Sequence, residues 1–327
     1  MRFVVYGAGA IGGVVGGRLA QAGHEVALIA RGDHHDAIRD DGLRLVTPDA
    51  EPITLSIPVV SHPAGLDFRD DDVVLLGMKS QHTGKALSAL SATAPSSISV
   101  VCVQNGVANE PAALRLFDDV YGVCVVLPAL HLEPGVVESY ATPLTGILDV
   151  GRFPHGVGPR GEKIAAAFAS ATFESEPRDD IMRWKYGKLL NNLGNAVEAL
   201  CGPDPEARVV HRRAWNEGAA VLAAAGIDAV SPEEDAARRG DGFQWGGDAA
   251  RSRPGGSSWQ SLARGNASIE ADYLNGEIVL LGRLHDVPTP VNLLLQRLAG
   301  AAARAGDRPG TFPAEDLIQM LPGDEEG

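Results

Sequence analysis

The sequence predicts an α/β protein: a doubly wound, mostly parallel sheet at the N-terminus followed by an all-α domain at the C-terminus. Three observations predict it. Short, almost uniformly apolar runs alternate with helical stretches through the first half, as expected when helices cover both faces of a parallel sheet. A glycine-rich loop, Gly7-Ala8-Gly9-Ala10-Ile11-Gly12, joins the first apolar run to the first helical stretch. From about Arg178 the strand signal fades and long Ala-rich helical patterns take over. The 327 residues, 45 % of them hydrophobic, are enough for two domains with real cores. The periodicity places the sheet domain at 1–177, the helical domain at 178–310 and a C-terminal tail at 311–327.

The expected strands are Phe3–Tyr6, Val26–Ala30, Val73–Leu76, Ser99–Val103 and Val120–Val126. Between the first two lies a helix, Ile11–Ala22, with Ile11, Val14, Val15 and Leu19 on one face. Strand, helix, strand in that order is the unit of a doubly wound domain. Val136–Tyr140 and Gly146–Val150 extend the same sheet. The second half predicts helices at Asp179–Leu200, Glu206–Ala225, Ser257–His285 with a break at Gly265, and Val291–Ala305. Their stops are Gly202-Pro203-Asp204-Pro205, Gly226 and Val287-Pro288-Thr289-Pro290. Gly240–Gly256, rich in Gly and Arg, reads as a mobile loop, and the acidic stretch after Pro322 as a frayed end. The helical half serves either for packing and dimerisation or as a substrate domain closing over a cofactor. Monomer and homodimer are both compatible with it.

Composition excludes several classes of function. A formal net charge of −14 argues against a nucleic-acid partner, which needs a basic face, and against an anionic membrane surface. No segment approaches the roughly 18 consecutive apolar residues of a membrane span. Met1–Gly7 reads as a strand entering the glycine loop and not as a signal peptide. The three cysteines, Cys102, Cys124 and Cys201, form no CxxC pair and have no His at metal spacing. Cys102 and Cys124 sit in apolar runs and read as buried thiols in a reducing, cytoplasmic setting. No metal site is expected.

Gly7-Ala8-Gly9-Ala10-Ile11-Gly12 is G-x-G-x-x-G, and here it follows a strand and opens a helix, the context that gives the pattern meaning. Gly7 permits the tight turn, Gly9 a close backbone approach to a pyrophosphate, and Gly12 close packing of helix on strand. The helix N-terminus then faces the phosphates with free N–H groups. This is a Rossmann-type dinucleotide site. The second strand runs Val26-Ala27-Leu28-Ile29-Ala30 and ends at Arg31, with no acid at its tip to accept from a ribose 2′-hydroxyl. A guanidinium there suits a 2′-phosphate, so NADP (as NADPH) is favoured over NAD. Asp33 lies close enough to compete, and Arg31 as a plain solvated cation is the alternative.

Two further strands end in polar loops, where such sheets bind ligands. Val73–Leu76 leads through Gly77-Met78 to Lys79, and Ser99–Val103 through Gln104 to Asn105-Gly106. Taken singly, a lysine after a strand is usually a surface charge and Asn-Gly a turn. The two loops gain weight by opening on the crevice that the glycine loop defines.

The helix after the sheet reads Arg183-Trp184-Lys185-Tyr186-Gly187-Lys188-Leu189-Leu190-Asn191-Asn192-Leu193-Gly194-Asn195. Lys188, Asn192 and Asn195 fall at i, i+4 and i+7 and share a face. Such groups are costly to bury without partners, and a small polar substrate would supply them. A solvent-facing stripe is the alternative. Further on, Ser257-Ser258 precede a helical run, where serine is most often an N-cap. Glu270-Ala271-Asp272-Tyr273-Leu274-Asn275-Gly276 carries two acids that are otherwise ordinary surface residues.

Taken together, these motifs resemble the ketopantoate reductase (2-dehydropantoate 2-reductase) family. The resemblance runs through the glycine loop, Met78-Lys79, Gln104-Asn105-Gly106, Trp184…Lys188-Leu189…Asn192, Ser257-Ser258, Glu270-x-Asp272-Tyr273-x-Asn275-Gly276 and Val287-Pro288-Thr289-Pro290-x-Asn292, in the family's order over nearly the whole chain. It implies a Rossmann domain joined to a helical domain. It also implies NADPH-dependent reduction of 2-dehydropantoate to pantoate in pantothenate (coenzyme A) biosynthesis, acting on a small 2-oxo acid. On the resemblance, Lys188 is the catalytic lysine, which also contacts substrate. Asn105, Asn192, Asn195 and Ser258 contact substrate. Gly7, Ala8, Gly9, Ala10, Ile11, Gly12, Arg31, Lys79, Asn105 and Glu270 contact the cofactor. The sequence departs from the family in two places. The family often spaces its asparagines four apart, which here fits Asn191 and Asn195, whereas Asn192 and Asn195 are three apart. The stretch Val123–Leu127 is more apolar than the family's hydroxyl-rich version. Lys185 is a second candidate lysine. A reductase of another branched 2-oxo acid, or a non-catalytic NADP-binding sensor, are the rival readings.

Overall fold

The computed structural model describes all residues except 49, 241, 242, 246–254, 322 and 324–327, with the backbone alone for 243–245. The chain divides into two compact units, Met1–Lys185 with Ser231–Ser252, and Tyr186–Val230 with Arg253–Gly327.

In chain order the first unit holds β1 (Phe3–Tyr6), α1 (Ala10–Gln21), β2 (Val26–Ile29), α2 (Gly32–Asp41), β3 (Leu43–Thr47), β4 (Ala50–Leu55), β5 (Val59–Val60), β6 (Val73–Leu76), α3 (Thr83–Ser91), β7 (Ser99–Cys102), α4 (Asn109–Leu114), β8 (Asp119–Val126), β9 (Ala129–Leu130), β10 (Val136–Ser139), β11 (Ala141–Pro143), β12 (Gly146–Arg152), α5 (Gly158–Ser170), β13 (Phe173–Glu174) and the start of α6 (Ile181–Asn192). The main sheet has eight strands in the order β13-β12-β8-β7-β6-β1-β2-β5. All its neighbours pair parallel except β12 against β8. The uniformly apolar runs are explained by two cores. Phe3, Val5, Leu28, Leu75 and Val101 pack on one face, while Val4, Ile29, Val74, Leu76 and Val100 pack on the other. Helix α1 docks on the first face through buried Val14, Val15 and Leu19, with Ile11 only half-buried. All three cysteines are free and buried.

One strand expectation needs correction. Gly146–Arg152 does join the main sheet, but Val136–Ser139 belongs to a separate four-stranded sheet ordered β4-β3-β10-β9. Its members β3 and β4 escaped the reading because they are half-exposed strands of mixed polarity, such as Ala50-Glu51-Pro52-Ile53-Thr54-Leu55.

The chain continues with α7 (Asn195–Cys201) and α8 (Arg208–Ala224). It returns to the first unit for α9 (Pro232–Arg239) and β14 (Phe243–Trp245), then ends with α10 (Ser257–Ala263), α11 (Asn275–Leu284), α12 (Pro290–Ala305) and α13 (Ala314–Gln319). The second unit is therefore helical, with Leu189, Leu193, Val210, Ala214, Val221, Ile278, Leu295 and Leu317 fully buried at its centre.

The boundary lies inside α6, after Lys185, and not at 177. The first turn of α6 is claimed by the sheet unit because Ile181, Trp184 and Lys185 are buried there. Residues 231–239 return to the sheet unit because Arg238 is bound by both oxygens of Asp149, at 2.7 and 2.8 Å, and pairs with Glu174. The stretch expected as a tail from 311 carries α13, and the N–H groups of Phe312 and of Gly310 just before it donate to the carbonyls of Leu200 and Ala199. The helical stretch expected over Ser257–His285 with a break at Gly265 is two helices, α10 ending at Ala263 just before Gly265 at φ +66°, and α11, with a short 3-10 turn at Glu270–Tyr273 between them. Most of the Gly240–Gly256 loop, and nearly all of the stretch from Pro322 onward, lie outside the described residues.

Candidate active site

The sheet unit gathers the predicted cofactor residues other than Glu270 at the carboxyl ends of four adjacent strands, β7, β6, β1 and β2, whereas Glu270 lies in the helical unit. Gly7 leaves β1 at φ +98°, a conformation open to glycine. A Cβ there would stand 2.6 Å from the Met78 nitrogen, and one on Gly12 would stand 2.2 Å from the Gly7 oxygen. A Cβ on Gly77 would be 2.7 Å from that same oxygen. The glycine loop thus interlocks with the loop after β6. Gly9 differs, because nothing comes closer to its hypothetical Cβ than a His131 ring carbon at 4.0 Å. Its backbone is approachable, and it caps α1 without any side chain bonding the first N–H groups. That is the geometry a dinucleotide phosphate requires.

Arg31 is exposed and caps α2 at the tip of β2, with Asp33 in the following turn. Two residues that the sequence reading missed brace this region. His34 Nδ1 accepts from the Gly135 N–H at 2.9 Å, so its proton resides on Nε2, 2.7 Å from the Ala8 carbonyl. Burial, together with neighbouring His131 at 4.1 Å between ring centroids, lowers the His34 pKa to about 4. Neutral His34 therefore holds the glycine loop by donation. One histidine among several near Arg31 carries no spacing signal that would have revealed this.

Lys79 precedes a 3-10 turn at Ser80–His82, and Asn105 follows β7. A side-chain network ties the two loops. Gln104 Nε2 donates to the Met78 carbonyl at 2.9 Å and to Thr83 Oγ1 at 2.7 Å. Thr83 donates to Asn109 Oδ1 at 2.8 Å, and Asn109 Nδ2 reaches Ser80 Oγ at 3.1 Å and the Asn105 carbonyl at 3.4 Å.

The two candidate lysines of α6 separate sharply. Lys185 Nζ lies 2.8 Å from Glu110 Oε1 and donates to the carbonyls of Gln104 at 2.8 Å and Val123 at 3.2 Å. Its three protons are committed inside the sheet unit. Burial holds the Glu110 carboxyl above its usual range, and Lys185 offsets only part of that rise. Lys185→Ala is expected to lower the unfolding free energy by roughly 3–5 kcal/mol, because it strands a buried carboxylate. Urea denaturation would read this, and a parent-like midpoint would show that the pair does not hold the unit together. Lys188, half-buried, lies in the helical unit.

In the helical unit α6 carries Lys188 and Asn192 one turn apart. Asn192 is 6 % exposed while Asn191 is open to solvent, so it is Asn192 that turns inward. Its buried Nδ2 has no hydrogen-bond partner among the described residues. The continuous face through Asn195 is not observed. The helix stops at Asn192, and Asn195 begins α7. Asn195 Oδ1 lies 3.5 Å from where a Cβ on Gly256 would stand, beside the start of α10. There Gly256, not serine, is the N-cap, its N–H donating to Glu198 Oε2 at 2.9 Å. Ser258 and Glu270 are both buried, at 1 % and 5 % exposure.

A parallel sheet with a glycine loop at its carboxyl edge, joined to a helical unit with an inward-facing amide, defines a nicotinamide-dinucleotide oxidoreductase. The family model described as ketopantoate reductase PanE/ApbA matches residues 3–155, and that of its C-terminal domain matches 180–303. The chain belongs to the ketopantoate reductase family. A 2-dehydropantoate 2-reductase of Halobacterium salinarum is 31 % identical over 317 residues, covering 94 % of this chain and 100 % of that protein. One from Pyrococcus abyssi is 28 % identical over 306 residues, covering 90 % and 95 %. Among solved structures, a PanE/ApbA family ketopantoate reductase from Ralstonia eutropha JMP134 superimposes with a TM-score of 0.78 at 31 % identity, covering 94 % of this chain and 99 % of that one. A D-mandelate dehydrogenase solved with NADH and anilino(oxo)acetate shares the fold at TM-score 0.79 and 23 % identity, covering 94 % and 99 %. Among the described residues no helix is long and apolar enough to cross a membrane.

Proposed function

We propose that the chain reduces the C2 ketone of 2-dehydropantoate to the alcohol of pantoate, with NADPH as the reductant. Family membership, with relatives of that activity matching over nearly their whole length, supports the substrate class. The observation that carries the substrate-side reading is the buried Asn192 Nδ2, without a hydrogen-bond partner among the described residues, one helical turn from Lys188. An orphan buried donor costs about 1–3 kcal/mol, and a bound oxygen of the substrate would satisfy it.

The residues of the sheet edge fit the cofactor. Gly7, Ala8, Gly9, Ala10, Ile11 and Gly12 would hold its pyrophosphate, Arg31 its 2′-phosphate, and Lys79 and Asn105 its nicotinamide end, while Glu270, in the helical unit, is assigned to the cofactor by the family resemblance alone. NADPH, when bound, supplies the hydride. Lys188 places an ammonium at the ketone oxygen, stabilises the negative charge that develops there and returns a proton to it. Asn105, Asn192, Asn195 and Ser258 orient the carboxylate and hydroxyl oxygens.

The test is loss of NADPH absorbance with 2-dehydropantoate, beside pyruvate and 2-oxoisovalerate, repeated with NADH. Fast turnover confined to 2-dehydropantoate with NADPH is expected. Faster turnover of another 2-oxo acid would move the substrate assignment, and tight NADPH binding without turnover of any would overturn the catalytic reading.

A further inference from the structure

The interruption between α6 and α7 separates Asn192 from Asn195, and it is held in place by groups outside the proposed substrate contacts. At the break the Leu193 N–H bonds back to Leu190 at 3.3 Å, a tightened turn, and the helix resumes with the Glu198 N–H on the Gly194 carbonyl at 3.0 Å. A Cβ on Gly194 would lie 2.9 Å from three atoms of the His211 ring, so α8 packs directly on the break. A Cβ on Gly218 of α8 would meet Leu190 and Leu193 at 2.7 and 2.9 Å.

One polar contact reaches the backbone of the break itself. Asn275 Nδ2, fully buried at the first residue of α11, donates to the Leu193 carbonyl at 3.1 Å and to Asn292 Oδ1 at 3.0 Å. The direction of every bond in this chain is dictated from its far end. Glu217 can only accept as a carboxylate. Its Oε1 takes the Val291 N–H at 2.8 Å, and its Oε2 takes the Asn292 N–H and Nδ2, both at 2.9 Å. Asn292 Nδ2 also donates to the Ala214 carbonyl at 2.9 Å. With its nitrogen so committed, Asn292 must turn its oxygen to Asn275. Asn275 must then present its NH₂ group, whose second hydrogen goes to Leu193. The chain Glu217–Asn292–Asn275–Leu193 is thus a polarised clamp joining α8, α12 and α11 to the residue between the two amides.

The geometry points to Asn275 as a positioning residue for substrate binding: its amide holds the Leu193 carbonyl and thereby sets the separation of Asn192 and Asn195. This rests on the proposed roles of those two asparagines. The family resemblance placed Asn275 and Asn292 in motifs without assigning either a task; the hydrogen-bond chain supplies one.

Asn275→Asp is the sharpest test, because it keeps the shape and replaces the donor by a carboxylate facing two oxygens. For reduction of 2-dehydropantoate it is expected to lower kcat/KM by about ten- to a hundredfold, chiefly through a raised KM for the oxo acid. The dissociation constant for NADPH, read by fluorescence, stays within about twofold of the parent on that expectation. Activity should partly recover as the pH is lowered from about 8 to about 5.5, because burial against two acceptors raises the carboxyl's affinity for a proton, and on protonation it regains a donor. Asn192→Ala is measured alongside. If Asn192→Ala raises the KM and folded Asn275→Asp does not, the positioning role falls alone. If Asn192→Ala is also without effect, the substrate assignment falls and the positioning role with it. Should Asn275→Asp fail to fold, Glu217→Gln decides. Weakening the far end of the clamp, it is expected to raise the same KM by several-fold with NADPH binding unchanged, and a parent-like KM would overturn the proposal.

Discussion

Lys188→Ala is expected to lower kcat by roughly two to four orders of magnitude, the usual contribution of a positioned acid, while NADPH binding stays near that of the parent. The physical reason lies in where charge appears. The ketone is neutral in the ground state, and its oxygen becomes anionic as hydride arrives. An ammonium beside it therefore stabilises the transition state far more than the bound substrate. Removing it should lower kcat and kcat/KM together, the pattern of a group that acts only in the transition state. The neighbouring lysine offers no rescue. Lys185 spends its protons on Glu110, Gln104 and Val123 within the sheet unit. Single-turnover absorbance with prebound NADPH would measure the effect without interference from product release. Near-normal turnover would remove Lys188 from the chemistry and require another proton donor.

Arg31→Ala is expected to raise the KM for NADPH by roughly tenfold or more and to leave the KM for NADH little changed. A charge-assisted hydrogen bond contributes about 1.5–3 kcal/mol, and every 1.4 kcal/mol is a factor of ten in binding. Arg31 stands exposed at the tip of β2, where its guanidinium is available to a 2′-phosphate and has no comparable target on a 2′-hydroxyl. Asp33, in the first turn of α2, is the residue that would favour the hydroxyl form. The expected ratio of effects therefore separates a phosphate clamp from a general loss of the loop. Equal changes for both cofactors would show that Arg31 shapes the loop without reading the phosphate. Because the contact is solvent-exposed, the discrimination should also weaken as salt rises.

The sheet unit was largely legible in the sequence because its strands are buried on both faces. Val73–Leu76 and Phe3–Tyr6 have no polar residue to blur their ends, and each was read with its observed bounds. Half-exposed β3 and β4 lack that mark and went unread. The cofactor edge was legible for a different reason: glycine is required where backbone meets backbone, and Gly7, Gly12 and Gly77 sit within such approaches. In the helical half the pattern predicted helices but not their interruptions. A 3.6-residue period treats Lys188, Asn192 and Asn195 as one face, and Gly194, the one local sign of the break at Leu193–Gly194, is by itself compatible with a continuous helix.

By itself, then, the sequence determined the parallel sheet, its glycine loop, the helical second half and the set of polar residues available for chemistry, because each follows from local steric rules and burial periodicity. Only the tertiary structure decided which of those residues are committed elsewhere. Lys185 is taken by Glu110, far earlier in the chain, and Asn275 by Asn292 and Leu193. Burial of Asn192 rather than Asn191 was settled in the same way. Such partnerships depend on which segments packing brings within about 3 Å of one another, a distance at which a hydrogen bond forms and which no spacing along the chain encodes.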